Sequence, residues 1–126
     1  MQTQKTLYIP TINGVPIENK QLTNPGYDPG DPGFLFSTDP IEFAYSIPFS
    51  IHFLNLNGVV ATDLTYYVLG SNTTNINDAV LVASISIADN VQNMVFDFEY
   101  TGFKYLFLNV YSSSATGMIT TILISK

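Results

Sequence analysis

Few residues in this chain have types that can do chemistry, and their spacing decides what each is for. His52 is the only histidine. A proton shuttle would need a Ser, Cys or Asp arranged against it, and a metal site would need a second strong ligand. Neither is present around it, and it falls on the polar parity of a strand, so it reads as a surface residue. Asp97 and Glu99 lie two apart, on one side of an extended chain. Paired carboxylates of this kind hydrolyse glycosides only inside a cleft with a sugar-ordering shell. Here they read as solvent-facing charges that discourage edge aggregation. Asp28 and Asp31 sit beside glycines, an arrangement that invites calcium. The spacing is not that of an EF-hand loop, and Asx-Pro turns account for it. Asn72-Thr73-Thr74 matches a glycosylation sequon, which has meaning only in an exported chain. The expectation is no catalytic residue, no metal site, no cofactor and no enzymatic activity.

The elements that would position any site are strands. Phe103–Tyr111 and Gly117–Ile124 flank a small polar loop, Ser112–Thr116, and read as a closing hairpin. Tyr105, Phe107 and Tyr111 fall on one parity and Leu106, Leu108 and Val110 on the other, so both faces should be covered. From Ile41 the chain alternates, with Phe43, Tyr45, Ile47, Phe49, Ile51 and Phe53 opposite Ala44, Ser46, Pro48, Ser50 and His52. That predicts one long half-buried strand, with an edge or a bulge at Pro48. Further strands are predicted over Asp63–Leu69, Val80–Ile87 and Met94–Tyr100, the last with Met94, Phe96, Phe98 and Tyr100 on its apolar face. No window of helical period runs beyond a turn or two. Six strands joined by short loops predict an all-β fold, an antiparallel β-sandwich of jelly-roll or Ig-like topology.

Residues 1–40 differ from the rest, holding six of the seven prolines. Leu7-Tyr8-Ile9-Pro10 fits a short edge strand, Asn13-Gly14 a tight turn, and 24–33 a series of Pro-Gly turns. The division expected is an extended Pro/Gly-rich N-terminal arm over 1–40 and a sandwich domain over 41–126. The arm either lies on a neighbouring subunit, its prolines reducing the entropy lost on docking, or folds back over its own domain.

Composition limits the functions available. The 126 residues fit one domain, and 46% hydrophobic against 11% charged argues for a folded core. Without cysteine there is neither a disulfide nor a thiolate metal site. Ten carboxylates against four lysines, with no arginine, give a net charge of −6, the wrong sign for nucleic acid. No apolar run reaches the roughly 20 residues of a membrane-spanning helix. The opening Met1-Gln2-Thr3-Gln4-Lys5-Thr6 lacks the apolar core of a signal peptide, predicting a protein made and used without Sec-type export.

From about Ala61 onward the order of features resembles a β-sandwich module of tailed-bacteriophage virion proteins. A strand enters a Gly-Ser-Asn loop, Tyr67-Val68-Leu69-Gly70-Ser71-Asn72. A middle strand and a turn follow, then Gly102-Phe103-Lys104-Tyr105-Leu106, a Ser/Thr/Gly loop over 111–117, and a last strand ending at Lys126. Such modules often carry Arg in place of Lys104, and a Trp after the Gly-Ser-Asn loop where this chain has Asn75-Ile76. The resemblance implies a non-enzymatic structural role, as a head decoration (auxiliary capsid) protein on the virion surface, assembled in the bacterial host cytoplasm. The implied partners are the major capsid protein and neighbouring copies of the chain, with no nucleic acid and no membrane. Contact through the arm would use Leu7, Tyr8, Ile9, Tyr27, Phe34 and Phe36, because aromatic groups dominate interface energetics. The alternative is a carbohydrate- or receptor-binding module of a head fibre or tail, with Ser71, Asn72, Asn75, Ser113 and Ser114 as loop contacts.

Overall fold

A computed structural model describes residues 7–23, 33–43, 48–56, 64–87, 93–99, 102–113 and 116–125. Its strands are β1 (Leu7–Tyr8), β2 (Thr11–Ile12), β3 (Val15–Pro16), β4 (Lys20–Thr23), β5 (Phe34–Ser37), β6 (Ile41–Glu42), β7 (Phe49–Leu56), β8 (Thr65–Ser71), β9 (Val80–Ser86), β10 (Asn93–Phe98), β11 (Tyr105–Tyr111) and β12 (Thr116–Ser125). A single 3₁₀ turn, Ile76–Asp78, is the helical element among the described residues.

Two sheets carry the fold. The first runs β4-β12-β7-β10, with β1 beside β4 on the same edge of β12; the second runs β5-β11-β8-β9, with β6 beside β5 on the edge of β11. All these pairings are antiparallel. The chain alternates between sheets so that β4 meets β12, β5 meets β11, β7 meets β10 and β8 meets β9. Four antiparallel pairs nested in this way form two Greek keys rolled together, the jelly roll, which settles the choice left open between jelly-roll and Ig-like topology.

Two local expectations are corrected by this topology. The predicted closing hairpin is not one. β11 and β12 belong to opposite sheets, and Ser112 and Ser113 are buried in the connection that crosses between them. A short polar loop looks alike in sequence whether it turns back within a sheet or passes across a sandwich. The long strand predicted from Ile41 is likewise split: β6 pairs β11 in the second sheet and β7 pairs β12 and β10 in the first. Pro48 lies just before β7, where a residue without an N–H costs no ladder bond, so β7 can occupy the sheet interior.

The expected division at residue 40 has no counterpart in the strand pairing of the described residues. β1 and β4 extend the first sheet and β5 and β6 the second, while Ile17, Leu22 and Phe36 are buried in the shared core. The described residues of the segment pack on the sandwich because these side chains supply core volume: Ile17 is wholly buried. The β2–β3 hairpin turns at Asn13 and Gly14, whose φ angles of 50° and 81° suit Asn and Gly. The Asp39 carboxylate seals it, accepting from the Thr11 hydroxyl at 2.6 Å and from the Asn13 and Gly14 amides at 2.9 and 2.8 Å.

Inward parities fill the core. Phe49, Ile51 and Phe53 from β7 and Ile122 and Ile124 from β12 face Tyr66 and Val68 from β8 and Leu106, Leu108 and Val110 from β11. Burying each such side chain contributes about 1.5–3 kcal/mol. The Phe53 and Tyr66 rings pack across the sandwich at 4.0 Å. The Tyr66 hydroxyl lies 3.4 Å from that of Thr120, so each sheet contributes one polar group to the interior contact.

Candidate binding face on the second sheet

The outward parities of the second sheet make a different surface. Cross-strand register sets side chains in rows perpendicular to the strands. One row runs Ser37, Asn109, Tyr67, Ser84 from β5 to β9, and the next runs Phe34, Tyr111, Thr65, Ser86. A third holds Leu69 and Leu81 beside Phe107, which is itself buried. With strands about 4.8 Å apart, each full row spans roughly 14 Å. None of these side chains is charged.

Within the rows, Tyr67, Leu69, Leu81, Asn109 and Tyr111 line a shallow depression of about 310 Å³. The Tyr111 ring stands edge-on to Tyr67, with centroids 5.3 Å apart and planes at 84°, and edge-on to Phe34 at 5.4 Å and 66°. Three aromatic rings thus run in series from one corner of the face to its centre. Ser37 donates its hydroxyl to Asn109 Oδ1 at 2.6 Å, which orients the amide and leaves its Nδ2 group to donate elsewhere. Half-buried rings beside an oriented amide can take a ligand with one apolar face and a hydroxyl-bearing edge.

The residues singled out from sequence are dispersed by the fold. Leu7 is exposed and pairs Ser125, Tyr8 packs on the core, and Ile9 is half-buried. Phe36 is buried, with the Lys20 ammonium 5.7 Å from its ring centroid, whereas Phe34 reaches the aromatic series. Tyr27 and Ser114 lie outside the described residues, as do Asp28 and Asp31. Each of the expected loop contacts among the described residues is engaged within the chain or buried. The Ser71 hydroxyl accepts from the Thr73 amide, Asn72 Oδ1 accepts from the Lys104 amide, Asn75 Oδ1 caps the 3₁₀ turn by accepting from the Asn77 amide, and Ser113 is buried. On the first sheet, His52 stands between Val95 and Leu123 in the register, and Asp97 accepts from the Ser50 hydroxyl. Among the described residues no three His, Cys, Asp or Glu side chains gather as a metal site would require.

Sequence reasoning assigned none of Tyr67, Leu69, Leu81, Asn109 and Tyr111 to a site. The one signal was Asn109 itself, a polar residue within Leu106-Phe107-Leu108-Asn109-Val110, on a strand expected to be covered on both sides.

No family model matches the chain, and no curated protein matches it. Among solved structures, one described as the crystal structure of PirA is similar at 8% identity, covering 100% of this chain and 96% of its own, with a TM-score of 0.46. A mutant of the family 29 carbohydrate-binding module CBM29-2, complexed with cellulohexaose, is similar at 16% identity, covering 98% and 93%, with a TM-score of 0.47. A second CBM29-2 mutant gives 17%, 98% and 92%, with a TM-score of 0.45. Likeness at this level carries no argument about ligand or partner.

Proposed function

We propose that this protein is a non-catalytic jelly-roll binding module that holds an uncharged glycan chain across the outer face of its second sheet. The observation that carries the reading is the series Tyr67, Tyr111, Phe34 beside the oriented Asn109 amide. A pyranose ring has an apolar C–H face and a rim of hydroxyls; aromatic rings take the first, and amide and hydroxyl groups the second. The absence of charge from three successive rows in a protein of net charge −6 favours a neutral glycan over an acidic one. Rows of about 14 Å suit an internal stretch of a chain rather than its end.

The sequence resemblance adds a setting, a bacteriophage head fibre or tail, in which such a module would hold the particle to a surface glycan. Clamping of the major capsid protein is the less supported role, because Phe36 is spent on the core and β1 on the chain's own sheet. The test is affinity electrophoresis in gels containing neutral or acidic polysaccharides. Retardation by a neutral polymer that Tyr67→Ala abolishes supports the proposal. Unaltered migration in every neutral polymer tested overturns it.

A further inference from the structure

An asparagine followed by glycine is chemically labile, because the glycine amide is unhindered: its nitrogen attacks the asparagine Cγ, ammonia leaves, and water opens the resulting succinimide to aspartate or isoaspartate. Two such pairs occur in the chain, Asn13-Gly14 and Asn57-Gly58, the second outside the described residues. The fold depends on the first. Asn13 and Gly14 occupy the two-residue turn between β2 and β3 with φ angles of 50° and 81°, which Asn and Gly adopt at least cost. Both are exposed, so water reaches the turn. The pair that the turn requires is therefore also the pair that chemistry would degrade.

We infer that Asn13 is a masked deamidation site, kept intact by the Asp39 carboxylate. Cyclisation needs the Gly14 nitrogen stripped of its proton and turned toward the Asn13 side chain. In the folded chain the Gly14 N–H donates to Asp39 Oδ2 at 2.8 Å, and the Asn13 N–H donates to Oδ1 at 2.9 Å. An N–H bonded to a carboxylate gives up its proton less readily, since the amide anion left behind would face a negative charge. With one carboxylate oxygen on each amide, the peptide joining Asn13 to Gly14 is also fixed on both sides and cannot rotate into line for attack. The carboxylate is itself held in place. Thr11 donates its hydroxyl to Oδ2 at 2.6 Å, the Thr11 carbonyl accepts from the Asp39 amide at 2.8 Å, and Pro40 restricts the Asp39 backbone. Conversion to aspartate would set a second carboxylate beside Asp39, and isoaspartate would add a backbone atom to the turn. Either product opposes re-formation of the clasp, so the protection, once lost, is not regained.

Peptide mapping of the full chain after incubation in mildly alkaline buffer tests this, with aspartate and isoaspartate at position 13 as the readout. In the folded wild type Asn13 should deamidate at least about tenfold more slowly than in the same chain unfolded in urea. Asp39→Asn, which keeps the shape but loses the charge and one acceptor, should speed the folded reaction at least about fivefold. Gly70→Ala strains the sandwich against Phe103, outside the clasp, and should leave the rate at position 13 within about twofold of wild type. Circular dichroism confirms that each variant is folded, and should Asp39→Asn fail to fold, Asp39→Ala decides. An unfolded chain no faster than the folded one at position 13, a folded Asp39 variant as slow as wild type, or a Gly70→Ala chain accelerated as much as the Asp39 variant overturns the inference.

Discussion

Tyr67 of β8 and Tyr111 of β11 meet edge to face, their ring centroids 5.3 Å apart and their planes at 84°. They are not directly opposed: Tyr67 lies across from Asn109, and Tyr111 from Thr65, one row further on. The contact is therefore diagonal, within the reach of aromatic side chains across neighbouring rows. That diagonal brings Tyr111 between Tyr67 and Phe34 and makes a continuous aromatic series out of residues from three strands.

If the series binds glycan, its members should contribute unequally. Tyr67→Ala and Tyr111→Ala each remove a ring lining the depression and should weaken binding by roughly 10- to 100-fold, about 1.4–2.8 kcal/mol. Phe34→Ala, at a residue 53% exposed on the margin, should cost less than tenfold. Titration calorimetry with a neutral oligosaccharide measures all three, and equal losses would count against a centred site.

The Asp39 clasp should make stability depend on acid. The Thr11 hydroxyl and the Gly14 amide, with the Asn13 amide behind them, hold the carboxyl below its ordinary value of 3.8 against an opposing contribution from burial. A depressed folded value means that the stabilisation is present above pH 3.8 and lost as pH falls through the folded value. Asp39→Ala should lower stability by about 1–2 kcal/mol at neutral pH, roughly 5 °C in Tm. It should also flatten the acid limb of the stability curve. Chemical denaturation between pH 2 and 7 checks both, and a variant with an unchanged acid limb would remove Asp39 from the account.

Strand identity and facing were largely legible in the sequence. Leu64, Tyr66 and Val68 point inward as their parity requires, and Met94, Phe96 and Phe98 pack against the core while Val95 and Asp97 face out. Alternation is a local property, so it survives without tertiary information. Which sheet a strand joins is not local: Ser112 and Ser113 look like a hairpin loop, and only the pairing of β12 with β7 reveals a crossing. The candidate site was hidden for the same reason, since Ser37, Tyr67, Ser84 and Asn109 become neighbours only through register.

Gly70 should not tolerate a side chain. It is buried in β8, and the Phe103 ring packs where a Cβ would stand, with Phe103 Cγ 2.7 Å from that position. Gly70→Ala should destabilise by about 1–3 kcal/mol through overpacking. In a Phe103→Ala background the same change should cost less than about 0.5 kcal/mol, because the obstruction is gone. A double-mutant cycle by urea denaturation reads the coupling, and additive effects would show that the ring is not the obstacle.

The interior contact between the sheets should be visible at alkaline pH. Burial pushes the Tyr66 hydroxyl up from 10.0 to about 12, the Thr120 hydroxyl opposing the shift only in part. A phenol whose folded value is raised adds stability that is complete below pH 10 and lost as pH rises toward 12. Tyr66→Phe keeps the ring packed on Phe53 and removes the titrating group. It should cost about 0.5–1.5 kcal/mol at neutral pH, for the lost bond to Thr120. It should also lessen the fall in stability above pH 10. Ultraviolet titration of the eight tyrosines should show one that resists ionisation until the protein unfolds and that is missing from the variant. If all eight ionised together near pH 10, Tyr66 would be reached by water, and the sealed junction between the two sheets would have to be given up.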